Sequence, residues 1–448
     1  MSDRLVVIGG DAGGMSASAQ ARRLRADLEI VVFERGSYTS YAACGLPYFV
    51  GDEVTDRDSL VARTPEQFRE QGIDVRTRHE VVAIDTAART VDVTDLDTGT
   101  TSTEPYGELL IATGATPILP PLPGIDGPGA FDIRTIPDAD AIRSAIEDGA
   151  RRAAVVGGGY IGVEVAEAFV TRGLEVTLLE LADQPMPTLD ADMAELVTKA
   201  LVDLGITVRL GTAVTGFVSS DDSLSAVDTT DGPVPADLAV VGLGVRANST
   251  LAAAAGIPIG HAGGIIVDEH QHTPVDGVWA AGDCVESRHR ITGASMVVAL
   301  GTHANKQGRV AGSNIGGTPS TFGGILGTAI TRVGAVEVAR TGLTEKEASA
   351  HGLDAFAVTT KGSVRAHYFP GADPIAVKLV VEKGSGRLLG GQIVGGSGAG
   401  KRIDVLATAL WNEMDVRDIA GMDLAYAPSF SPVWDPVLVA AGKAALQL

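Results

Sequence analysis

Two glycine-rich turns constrain this chain more than any other feature. Leu5 to Ile8 is an apolar run that meets Gly9, Gly10, Asp11, Ala12, Gly13 and Gly14, and a second apolar run, Ile30 to Phe33, ends in Glu34, 20 residues beyond Gly14. Ala153 to Val156 likewise meets Gly157, Gly158, Gly159, Tyr160, Ile161 and Gly162, with Glu164 just beyond, and Val176 to Leu179 ends in Glu180. A buried strand, a tight glycine turn, a helix and a second strand closing on an acid form a dinucleotide-binding βαβ unit. Glycines let backbone N–H groups approach a pyrophosphate, the helix N-terminus favours its charge, and the acid accepts hydrogen bonds from ribose hydroxyls. In the first turn the middle glycine is replaced by Asp11, whose carboxylate repels phosphate unless it points away. The second turn is complete. No Arg or Lys occurs from Leu181 to Met193, so Glu180 opposes an extra 2′-phosphate without compensation, and NADH is expected over NADPH.

Two such units in 448 residues predict an α/β protein of roughly three domains. Residues 75 to 111 alternate apolar and polar positions, as in an antiparallel meander, and lead through the run Leu109 to Ala112 into a Gly/Pro-rich crossing near Pro117. Met193, Leu196, Val197, Ala200, Leu201 and Leu204 mark an amphipathic helix stopped at Gly205. From about Ile325 the pattern becomes alternating strands, with a capping box at Thr344 to Glu347 and a hairpin at Lys383 to Gly386. Gly395 to Arg402 imitates a phosphate loop, but Arg402 stands where a Ser or Thr would hold magnesium, so it reads as a strand-to-helix connection. The net charge of −21 disfavours nucleic acid. Two cysteines, no metal-ligand spacing, no signal-like segment and no membrane-length apolar run point to a soluble cytoplasmic protein without a structural metal or membrane partner.

One of those cysteines, Cys44, follows the first βαβ unit within Tyr41 to Tyr48, at the expected start of a helix. Unpaired backbone N–H groups and the positive end of a dipole favour thiolate there. An isolated cysteine is otherwise a small buried hydrophobe, which is the reading for Cys284.

Taken with both nucleotide motifs, the segment Ala42 to Tyr48 resembles the single-cysteine branch of the FAD-dependent pyridine nucleotide-disulfide oxidoreductases, and the likeness covers nearly the whole chain. That branch includes coenzyme A disulfide reductases, NADH oxidases and NADH peroxidases. Two-cysteine relatives carry Cys-x4-Cys, whereas the corresponding position here is Phe49. The resemblance implies two Rossmann-like domains, for FAD (1–115 and 245–322) and NAD (116–244), and an α+β dimerisation domain (325–448). It implies FAD held by Gly9, Gly10, Ala12, Gly13, Gly14, Glu34, Gly282 and Asp283, the last two in the segment Thr273 to Asp283. NADH is then held by Gly157, Gly159, Gly162, Glu164 and Glu180, with Tyr160 a ring that swings aside. Cys44 alternates between thiolate and a mixed disulfide or a sulfenic acid.

The resemblance also implies a homodimer in which Tyr368 and Tyr426 serve the partner's cysteine, on a proline-containing arm, Tyr426 to Pro436, read as extended. Gln20, Arg23 and Ser40, with Arg22 and Arg25 nearby, match positions that grip coenzyme A. Two anchors differ: an asparagine of the family is Ala43, and a lysine is Trp434, which is expected to line the substrate entrance. Peroxidases of the branch carry a histidine where this chain has Ala12. The preferred reading is therefore NADH-dependent reduction of a low-molecular-weight disulfide, persulfide or polysulfide. Reduction of oxygen or peroxide through a Cys44 sulfenic acid is the alternative, and an electron-transfer flavoprotein serving a redox protein is another, which needs no thiol.

Overall fold

The computed structural model describes residues 3–220 and 223–448. Strand Arg4–Ile8 lies at the centre of a parallel sheet in the order Val278–Ala280, Glu108–Ile111, Arg4–Ile8, Glu29–Glu34, Ile73–Thr77. Its β-branched and leucine-rich strands are apolar on both faces because both faces are covered, as parallel sheets require. Val6, Ile8, Val31 and Phe33 pack against the three-stranded meander of residues 79–105. Leu5, Val7, Ile30 and Val32 pack under helices Ala12–Leu24 and Gly301–Ile315.

A second parallel sheet repeats the plan around Arg152–Val156, in the order Thr207–Arg209, Glu175–Leu179, Arg152–Val156, Leu238–Val241, Ala130–Phe131. In each turn the last glycine is obligatory for packing: a Cβ on Gly14 would lie 1.9 Å from the Gly9 carbonyl oxygen, and one on Gly162 1.8 Å from that of Gly157. Helix and strand can approach only without side chains there. An antiparallel ribbon, Ala115–Pro117 with Val245–Ala247, carries the chain from the first sheet to the second and back.

The C-terminal sheet is antiparallel, in the order Ala329–Val333, Val336–Gly342, Leu388–Gly395, Pro374–Glu382, Ala355–Ser363, with helices Ile403–Trp411 and Pro436–Ala445 on its apolar face. The capping box at Thr344 and Glu347 opens helix Glu345–Ala350. The arm after Tyr426 departs from the extended path expected of it. Phe430 and Ser431 N–H groups both turn back to the Ala427 carbonyl, and Pro436 opens the terminal helix behind an Asp435 cap. Proline at the first helical position lacks only an N–H that has no intrahelical partner, so the same residue starts a helix here. Among the described residues no helix is long and apolar enough to cross a membrane, and no cluster of His, Cys, Asp or Glu could hold a metal ion.

Candidate active site

A cleft of about 1300 Å³ opens between the first glycine turn and the start of the helix that follows the second. Ala12, Gly13, Glu34, Cys44 and Asp283 line it from the first domain, Tyr160 and Glu164 from the second, and Thr328 to Ile330 from the C-terminal sheet. In the first turn the Glu34 carboxylate accepts the Gly10 N–H at 2.7 Å and the Gly36 N–H at 2.6 Å. In the second, Glu180 accepts the Gly158 N–H at 2.6 Å and the Ala182 N–H at 2.8 Å. A Cβ built on Gly159 meets no protein atom within 4 Å, so this backbone faces open space in the helix-opening turn, which suits a pyrophosphate. Asp283 Oδ1 is buried without a hydrogen-bond partner in the protein, which fits hydroxyl donors of a bound ribityl chain. Burial pushes the Asp283 carboxyl up to about 6.

Asp11 does not leave the cleft, since its side chain contributes to the lining. Burial, and then the neighbouring Glu34 charge, raise its pKa to about 6, against the opposing N–H groups of Ala12 and Tyr41. The carboxyl is thus protonated more readily than an ordinary aspartate, though it is still mostly ionised at neutral pH.

Cys44 sits in a 3-10 turn, Ala43–Gly45, ahead of the five-residue helix Leu46–Val50, and it is exposed to the cleft. The protein groups around Cys44 oppose the expected thiolate bias: partial burial raises the thiol's pKa above its ordinary value, and the Glu164, Asp283 and Asp11 carboxylates add to the rise, against only a local backbone N–H. A five-residue helix that starts beyond the sulfur has little dipole to offer.

Three arginines clamp the helix that follows. Arg143 stacks on the Phe49 ring at 4.4 Å, donates to the Phe49 carbonyl and pairs with Asp52 at 2.5 Å. Arg172 donates to the Val50 carbonyl at 3.0 Å and also pairs with Asp52. Arg332, from the C-terminal sheet, lies 5.4 Å from the Tyr48 ring centre and pairs with Glu53 and Glu167.

The remaining predicted residues are elsewhere. Tyr368 and Tyr426 lie near one another, 66% and 48% exposed, Phe430 (77%) and Trp434 (68%) are exposed as well, and none of the four lines the Cys44 cleft of its own chain. Arg22 is spent on the Ala26 and Gly72 carbonyls at 2.8 and 2.6 Å, and Arg25 on Asp3 and Asp27. Arg23 bonds only loosely to Gln20, at 3.3 Å, and Gln20 reaches Ser313 on the neighbouring helix. Ser40 turns the chain at φ 50°, its N–H bonded to the Gly10 carbonyl. Cys284 is fully buried, its S–H directed to the Ile111 and Ala281 carbonyls.

One contributor, the start of a helix, escaped the sequence. Gly301 and Thr302, at the start of helix Gly301–Ile315, line the cleft and bring the positive end of a dipole to it, but the preceding Leu300 makes no side-chain cap that would have announced it. Glu164, already named from its motif, accepts Thr331 Oγ1 at 2.8 Å, a contact with the C-terminal sheet that its motif does not announce.

Two glycine turns of the dinucleotide-binding kind, with an accessible thiol in the cleft lined by the first turn and by the helix behind the second, fit a two-dinucleotide redox enzyme. The chain belongs to the pyridine nucleotide-disulphide oxidoreductases: residues 3–318 match that family and residues 328–436 its dimerisation domain. It therefore works with FAD and a nicotinamide nucleotide. It is 38% identical over 444 residues, 98% of each chain, to the NAD(P)H coenzyme A polysulfide/persulfide reductase of Pyrococcus horikoshii. It is 31% identical to the coenzyme A disulfide reductase of Staphylococcus epidermidis, across 96% of this chain and 97% of that one. Among solved structures, the NAD-dependent persulfide reductase of A. fulgidus superposes with a TM-score of 0.96 at 41% identity, covering 99% of this chain and 83% of that one.

Proposed function

We propose that this protein reduces a low-molecular-weight disulfide, persulfide or polysulfide with NADH, Cys44 being the sulfur that meets the substrate. The observation that carries the reading is the position of Cys44, exposed in a cleft lined by the first glycine turn and by the start of the helix behind the second. For a disulfide the balance is NADH, a proton and RSSR giving NAD⁺ and two RSH. The Cys44 thiolate attacks one substrate sulfur, forming a mixed disulfide as the first thiolate leaves. Bound FAD supplies the route by which the electron pair of NADH reaches the Cys44 sulfur and frees the second thiol.

The protein residues prepare these steps. Glu34 and Asp283 hold sugar hydroxyls, Glu180 holds the adenosine ribose of NADH, and Glu164 stands over the shared cleft. Tyr160 is the ring that yields to nicotinamide. The exposed pair Tyr368 and Tyr426, outside its own chain's cleft, fits a homodimer in which each subunit presents its tyrosines to the other's cysteine and protonates the departing thiolate. Arg23 and Gln20, the members of the basic helix face least committed to the fold, are the substrate contacts, with Ser40 and Trp434 beside the entrance.

The test is NADH oxidation with coenzyme A disulfide, other thiol disulfides, polysulfide, peroxide and oxygen, for native and Cys44→Ser protein. Fastest turnover with a disulfide, persulfide or polysulfide, lost in Cys44→Ser while NADH still bleaches the flavin, is the expected result. Dominant turnover with oxygen or peroxide would transfer the reading to a sulfenic acid cycle.

A further inference from the structure

Ala329, Arg340, Gln392, Lys378 and Thr359 occupy paired positions on the five successive strands of the C-terminal sheet. Four of them reach one short segment of the second nucleotide domain. Arg340 Nη1 donates to the Thr188 carbonyl at 3.0 Å. Gln392 spends both ends of its amide on Asp190, accepting its N–H at 2.8 Å and donating to its carboxylate at 2.6 Å. Lys378, only 4% exposed, pairs with Asp190 at 3.3 Å and Asp192 at 2.7 Å, and Thr359 donates to Asp192 at 2.9 Å. The order across the sheet follows the order along the segment, so residues 188 to 192 are laid across the strands and held at each step.

The same segment reaches the nucleotide turn, where the Met186 N–H bonds the Gly158 carbonyl at 2.7 Å. Two residues beyond Met186 the Thr188 hydroxyl is buried, as is the hydroxyl of Tyr160 two residues beyond Gly158, and neither has a hydrogen-bond partner in the protein. Arg340, Thr188 and Glu164 are the polar groups that act on the phenol. Tyr160 contributes to the cleft lining while its hydroxyl is sunk in the wall behind. Two buried, unpartnered hydroxyls within the second nucleotide domain, with Arg340 reaching the same segment from the C-terminal sheet, make a place where a moving ring can be held.

We propose that Thr188, fixed by Arg340 and the row behind it, is the seat that receives the Tyr160 hydroxyl when the ring stands clear of the nicotinamide path. The C-terminal sheet thereby sets how readily the pyridine nucleotide enters. Thr188 and Arg340 are positioning residues acting through Tyr160, and the inference rests on reading Tyr160 as a ring that moves.

The experiment measures NAD⁺ binding to oxidised holoenzyme and the rate of flavin reduction by NADH. Thr188→Val keeps the shape and removes the hydroxyl. NAD⁺ should then bind about 2- to 10-fold more weakly, the size of one net hydrogen bond, with a matching rise in the NADH concentration needed for half-maximal reduction. Thr188→Ser should restore both, and Arg340→Met should resemble Thr188→Val if it folds. In a Tyr160→Phe background Thr188→Val should add nothing. Unchanged NAD⁺ affinity in Thr188→Val, or full additivity with Tyr160→Phe, overturns the seat. A Tyr160→Ala protein with native affinity and reduction rate removes the moving ring and the seat together. Altered Tyr160→Ala beside native Thr188→Val removes the seat alone.

Discussion

Glu180 is bonded to the backbone of its own glycine turn, its Oε2 taking the Gly158 N–H at 2.6 Å while Oε1 takes the Ala182 N–H. An acid held by two N–H groups cannot swing away from a 2′-phosphate. Native protein should therefore show kcat/KM for NADH at least about tenfold above that for NADPH, about 1.4 kcal/mol or more. Glu180→Ala combined with Leu181→Arg, at a position 69% exposed, should invert the ratio. Steady-state kinetics with both nucleotides decide it, and a native preference for NADPH would contradict the role given to Glu180.

The exposed tyrosines predict complementation between subunits. Cys44→Ser chains and Tyr368→Phe/Tyr426→Phe chains should each be inactive as homodimers. Mixed dimers should regain up to about half the native activity, because one of their two sites pairs an intact cysteine with intact tyrosines of the other chain. No regain in heterodimers verified by mass would place the tyrosines in cis or outside the reaction.

Asp11 predicts a pH-dependent stability. Its pKa is about 6 in the fold against an ordinary 3.8, so between these values the folded state binds more protons than the unfolded one. Stability from this group therefore declines as pH rises from about 4 to about 6, and the penalty is complete above. Asp11→Asn should raise the melting temperature at pH 7, by on the order of 1–3 kcal/mol of stability, and leave it nearly unchanged at pH 4. Thermal denaturation at the two pH values is the check, and an equal shift at both would assign the gain to something other than ionisation.

Arg143 holds the helix behind Cys44 by a ring face, a carbonyl and a carboxylate at once. Arg143→Met keeps part of the packing and leaves the Phe49 carbonyl and Asp52 with fewer partners. A loss of about 1–3 kcal/mol is expected, read in denaturant unfolding, together with slower disulfide turnover and little change in NADH affinity. Native stability in this variant would show the clamp to be redundant with Arg172.

What the sequence revealed and what it hid follow from contact range. The glycine turns and the acids closing Ile30 to Phe33 and Val176 to Leu179 were readable because a βαβ unit is local, with its requirements a few residues apart. The Thr344 capping box was readable for the same reason. Arg22, Arg23 and Arg25 look equivalent along one helix, and only distant partners, Gly72 for Arg22 and Asp3 for Arg25, separate those tied to the fold from the one left free. The groups that oppose a Cys44 thiolate were hidden for the same reason. A helix start is a local signal, whereas Glu164, Asp283 and Asp11 come together only in the folded chain.

The arginine clamp has a consequence for how such a protein can change over time. Arg143 and Arg172 belong to the second nucleotide domain, Arg332 to the C-terminal sheet, and the helix they grip to the first domain. An exchange of one domain with a relative that lacks the matching residues would leave arginines or carboxylates unpaired directly behind the reactive sulfur. The three domains are therefore coupled at this point, and successful chimeras should be those whose crossover points carry both sides of each pair.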